Sequence, residues 1–132
     1  MKRLKVNLFL CIVGAVLLAL LLAPAVAQAQ AAWSVVPSPS PGPSVNDLNG
    51  VASVSANDVW AVGDFINASG SKQTLIEHWD GTSWSVVSSP NPSSSLNLLD
   101  GAAADPSSGQ AWAVGAFFNT SSILQTLTEF NP

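Results

Sequence analysis

The chain has 132 residues, of which 48% are hydrophobic and only 9% charged, with one cysteine and no tyrosine. Lys2, Arg3 and Lys5 are three of its four basic residues, so Lys72 stands alone against eight acids in the rest of the chain. This balance excludes nucleic acid as a partner, because phosphate recognition needs clustered Lys and Arg, and it disfavours anionic membrane surfaces for the same reason.

The first element is a targeting segment. The basic start is followed by an uncharged apolar run from Leu8 to Leu22, a break at Pro24, and small residues at Ala25, Ala27, Ala29 and Ala31. That order predicts a signal peptide, a helical segment over residues 1–31, and a secreted or extracytoplasmic location. An uncleaved N-terminal anchor stays open, since Leu8 to Ala27 is long enough to span a bilayer. Cys11 lies inside the apolar run rather than at its end, which argues against a lipid anchor. Residues 32–132 then hold no cysteine, so a disulfide framework is excluded. They carry one lysine and eight acids, a net charge of −7 with His78 neutral.

The remainder is an internal repeat. WSVV occurs at 33 and 84, WAVG at 60 and 112, and QTL at 73 and 125, offsets of 51, 52 and 52 residues. The single inserted residue falls where SANDVW becomes PSSGQAW, a turn that absorbs it without disturbing the flanking strands. Repeat 1 covers about 33–83 and repeat 2 about 84–132.

Each unit divides into short β-type runs punctuated by turn residues. In chain order they are 33–37, 51–55, 59–65, 73–79 and 83–87, followed by three runs that copy 51–79. Asp80-Gly81 is a tight-turn signal. Val, Ile, Trp, Phe and Thr suit pleated strands, and nothing after residue 31 has a helical period. Four antiparallel strands in about fifty residues is one β-propeller blade. The expected fold is therefore all-β, with about two four-stranded blades of a partial propeller. One blade is split between the termini, with 33–37 supplying the strand that repeat 2 lacks. Two blades are too few to close a ring, so a shared ring of several chains and a fragment of a longer propeller both stay open.

The unit resembles a kelch-type blade over nearly all of residues 33–130. Trp60-Ala61-Val62-Gly63 stands where that family ends its second strand, with one Gly in place of a pair. Asp80-Gly81-Thr82-Ser83-Trp84 matches its turn and following Trp. It looks closest to secreted bacterial tandem-repeat proteins whose blades carry WAVG and LIEHW-(N/D)-GTSW. Some kelch-like propellers are copper oxidases with a Tyr–Cys radical, and a chain without tyrosine lacks that chemistry.

No catalytic constellation is legible, and no cofactor or metal site is expected. His78 is the one histidine, and no Gly-x-Ser-x-Gly elbow occurs. Asp64 and Glu77 are the carboxylate pair to weigh for glycoside hydrolysis, although Asp64 becomes Ala116 in the second copy. The leading expectation is a non-catalytic binding module for a glycan or a protein. A structural fragment without a ligand, and a propeller-type glycoside hydrolase, are the alternatives. The long segments 38–47, 66–72, 88–98 and 118–124 should emerge on one face, where binding sites tend to lie. Asn46, Asn67, Asn97 and Asn119 are matched candidates for ligand contact, with Trp79 as a stacking platform. Asn67 and Asn119 also begin glycosylation patterns. Trp33, Trp60, Trp84, Trp112, Gly63 and Gly115 are assigned to the structural core. Further copies of the chain are an expected partner.

Overall fold

The computed structural model describes residues 32 to 132; the signal or anchor expected at 1–31 lies outside the described residues. The strands lie in the compact unit Val35–Pro132. They are β1 (Asn46–Ser55), β2 (Asp58–Ile66), β3 (Lys72–Trp79), β4 (Trp84–Val87), β5 (Asn97–Ala104), β6 (Ala111–Phe118) and β7 (Leu124–Asn131). They form two antiparallel sheets, ordered β1-β2-β3-β4 and β5-β6-β7. The all-β expectation holds, and the described residues contain no helix.

Strand and turn chemistry agree locally. The β3–β4 connection is an Asx turn: Asp80 Oδ1 accepts from the amides of Thr82 and Ser83 at 2.8 and 2.9 Å. Gly81 adopts a φ of 94° there, which a side chain would resist. β1 and β5 begin several residues earlier than the expected runs. Each passes through a β-bulge, between Leu48 and Gly50 and between Leu99 and Gly101. The bulge inserts one residue and lets pairing continue beyond it. At the bulge the neighbouring strand presses closely. A Cβ on Gly63 would overlap the Asp47 carbonyl, and one on Gly115 the Leu98 carbonyl.

Residues 33–37 do not form the expected strand. The WSVV at 84–87 pairs with β3, whereas the WSVV at 33–36 has no strand partner among the described residues, and Trp33 is fully exposed. The sequence is the same; what differs is whether a sheet edge stands beside it. The second sheet therefore stops at three strands.

Pairing register assigns the faces. On the first sheet Trp60, Val62, Ile76 and His78 share one face, and Ala61, Leu75 and Glu77 share the other. The Val62 face packs against the Leu127 face of the second sheet. Their core is Val62, Leu99, Ala113 and Leu127, flanked by Ile76, Ala102 and Phe117. The tryptophans are not this core. Trp60 and Trp84 are half-buried, and Trp112 and Trp33 are exposed. Small and aliphatic residues fill the seam where two sheets meet closely; Trp60 shares the covered Val62 face but sits near the start of β2, and Trp112 lies on a face that nothing covers.

Candidate functional site

Between the two sheets, under the connection from β4 to β5, lies a cavity of about 740 Å³. Trp60, Val62, Ile76 and Val87 form one wall, and Ala113, Phe117, Leu127 and Glu129 the other; Pro90, Asn91 and Pro92 roof it. Because the face residues of β2 alternate with period 2, the WAVG run presents Trp60 and Val62 to this space. The walls are mainly apolar.

Two polar atoms of the lining residues are buried without a partner. They are Trp60 Nε1, a donor, and Glu129 Oε1, an acceptor. Such atoms normally find a partner. The other carboxylate oxygen of Glu129, Oε2, accepts from Ser89 Oγ at 2.8 Å. Burial pushes the Glu129 carboxyl above the ordinary glutamate range, and the Ser89 hydrogen bond opposes this only in part. Ser89 Oγ also lies 2.7 Å from the Thr74 hydroxyl, and Asn91 Oδ1 accepts from the Thr74 amide at 2.9 Å. The roof is thus tied to the first sheet. Trp60 stacks on His78 with centroids 4.3 Å apart, and His78 Nε2 lies 2.9 Å from Asp58 Oδ1.

The residues expected to bind ligand lie elsewhere. Asn67 Oδ1 accepts from the amides of Ser69 and Ser71, both at 3.0 Å, and Asn119 Oδ1 from those of Ser121 and Ile123 at 2.9 and 3.0 Å. Both shape their turns. Asn46 braces its preceding segment, with Oδ1 accepting from Gly42 N at 2.6 Å and Nδ2 donating to Gly42 O at 3.0 Å. Asn97 is fully buried and does the same with Ser93, at 2.8 Å for both bonds, and also donates to Lys72 O. Its burial puts it out of a ligand's reach. Trp79 packs beside Trp84, with centroids 5.7 Å apart.

The carboxylates weighed for hydrolysis are not brought together. Register places Asp64 and Glu77 on opposite faces of the first sheet. Asp64 pairs with Lys72 at 2.6 Å. Glu77 is fully buried and neither of its oxygens has a hydrogen-bond partner. Burial raises its pKa, with a weaker opposing influence from Ser38. Glu129, the member of the cavity that sequence reasoning missed, carried one signal: it is the repeat match of Glu77, an acid retained within an apolar strand. Among the described residues no cluster of three metal-ligating side chains occurs, and no helix is long and apolar enough to cross a membrane. Comparison of the chain with family models, with curated proteins and with solved structures gives no match.

Proposed function

We propose that the two sheets are kelch-like β-propeller blades and that the chain is an exported, non-catalytic module binding a neutral carbohydrate in the seam between them. The observation carrying this reading is the apolar cavity whose lining residues hold one unpartnered donor and one unpartnered acceptor, Trp60 Nε1 and Glu129 Oε1. A sugar ring offers what these lack: C–H groups for an indole wall, and hydroxyls that both donate and accept. The charge of −7 over residues 32–132 disfavours anionic ligands. Export rests on the composition of residues 1–31.

The test is calorimetric titration of the chain with neutral oligosaccharides, read alongside tryptophan fluorescence. Binding should quench fluorescence, and Trp60→Ala and Glu129→Gln should each weaken it about tenfold, roughly 1.4 kcal/mol. Absence of binding at millimolar sugar, or equal affinity in Trp60→Ala, refutes the seam as a carbohydrate site.

A further inference from the structure

We infer that the chain assembles head to tail with copies of itself, each copy laying residues 33–36 along the free edge of β7 in its neighbour. The inference rests on the blade reading of the two sheets, and not on the ligand.

The first observation is a pair of matched faces, each covered in one place and bare in another. Val62 is 2% exposed because the second sheet covers it; its repeat match Val114 is 48% exposed. Trp112 and Phe130, stacked 4.4 Å apart as Trp60 and His78 are, lie on that same uncovered face. At the opposite end of the pair, Leu48 is 46% exposed, whereas its match Leu99 is fully buried in the seam. Val51 is likewise exposed where Ala102 packs against the core. The two bare faces are the two halves of the seam the chain already contains. The Val114 face of one copy therefore fits the Leu48 face of the next.

The second observation is the strand itself. WSVV at 84–87 completes the first sheet, with Trp84 opposite Trp79 and Val87 opposite Ile76. The same four residues recur at 33–36 without a strand partner, and the second sheet lacks a fourth strand. The segments that follow the two copies are built alike. Asn46 clasps Gly42 as Asn97 clasps Ser93. Ile66 N donates to Val45 O as Phe118 N donates to Leu96 O. Ser38 influences Glu77 as Ser89 does Glu129, though without a completed hydrogen bond.

The connection after 84–87 passes from the outer edge of one sheet across the inner strand of the next. Its twin after 33–36 must come from a sheet on the Leu75 side of the first sheet, away from the chain's own second sheet. The edge that fits is β7 of another copy, with Val36 opposite Thr128 and Trp33 opposite Asn131. Such a contact joins unlike surfaces and closes into a ring when the rotation allows. Rings of roughly four to eight blades correspond to about two to four chains.

The test uses the full chain with Cys11 replaced by Ser. Val36→Cys and Thr128→Cys, made on separate chains and mixed under mild oxidation, should give a disulfide-linked pair that neither forms alone. The double variant should give a covalent ladder ending at the mass found by light scattering. Leu48→Asp with Val114→Asp, both exposed in the single chain, should keep the β-sheet circular dichroism and reduce the mass two- to fourfold, to one chain. A wild-type chain that stays monomeric, an assembly without the 36–128 cross-link, or a disulfide confined within one chain overturns the inference. Sugar binding to the monomeric aspartate variant separates the two readings, because that variant keeps its internal seam. Binding without assembly sinks this inference alone, and assembly without binding sinks only the carbohydrate reading.

Discussion

Gly63 and Gly115 owe their identity to crowding, not to turn geometry. Each sits opposite a bulge, where the adjacent strand's carbonyl fills the space a Cβ would take. Backbone cannot yield as a flexible side chain does, so Gly63→Ala must push β1 off β2. We expect a loss of about 2–3 kcal/mol in urea denaturation, in the range of other overpacking changes. Gly70→Ala is the contrasting control: nothing lies near its Cβ position, and its cost arises only from the φ of 83°. A Gly63→Ala variant no less stable than Gly70→Ala would contradict the close approach. The WAVG repeat made these glycines visible in sequence, but the carbonyl that demands them belongs to a neighbouring strand and is invisible there.

At the scale of elements, the connections into β1 and β5 are held by asparagine side chains used as clasps. Asn97 is buried and makes three hydrogen bonds to main-chain groups, so Asn97→Ala takes a partner from the Ser93 amide and from the carbonyls of Ser93 and Lys72. The expected cost is about 2–3 kcal/mol. Asn67→Ala, in a half-exposed turn, should cost under about 1 kcal/mol. Thermal denaturation of the pair checks the order, and equal costs would refute the clasp. The order and turns of the seven strands that form were legible because Asp80-Gly81 and the offset of 51–52 residues punctuate the chain. The roles of the asparagines were not. An asparagine in a polar segment reads the same whether its amide faces solvent or its own backbone, and only the fold brings Ser93 and Lys72 around Asn97. Residues 33–37 misled for the opposite reason: strand propensity is local, and an edge to pair with is not.

The folded part as a whole, residues 32–132, carries a strongly one-signed charge and two acids held in apolar surroundings. Glu77 and Glu129 both have raised pKa values through burial. A carboxyl whose folded pKa exceeds its unfolded value favours the folded state below the unfolded pKa, and that advantage is lost as pH rises through the folded pKa. Acidification from pH 8 towards the ordinary glutamate range should therefore stabilise the protein, aided by relief of repulsion among its acids. Below that range the trend reverses, because hydrogen bonds hold the Asp80 and Asp105 carboxyls low, Asp80 by its bonds to Ser83 and Thr82 and Asp105 by those to Ser107. Glu77→Gln should raise the melting temperature at pH 8 and leave it nearly unchanged where wild-type Glu77 is protonated. A parallel shift at all pH values would show that its charge is not the cause.

The repeat match between Glu77 and Glu129 has one more consequence. Glu129 lies in the seam inside the chain, and Glu77 faces the seam that assembly would create. A closed ring would then present as many equivalent pockets as blades, at fixed spacing around one axis. Against a polymer with a regular sugar repeat, each engaged pocket raises the effective concentration of the next. Weak individual contacts would add up to avidity of roughly a hundredfold or more with no new contact formed.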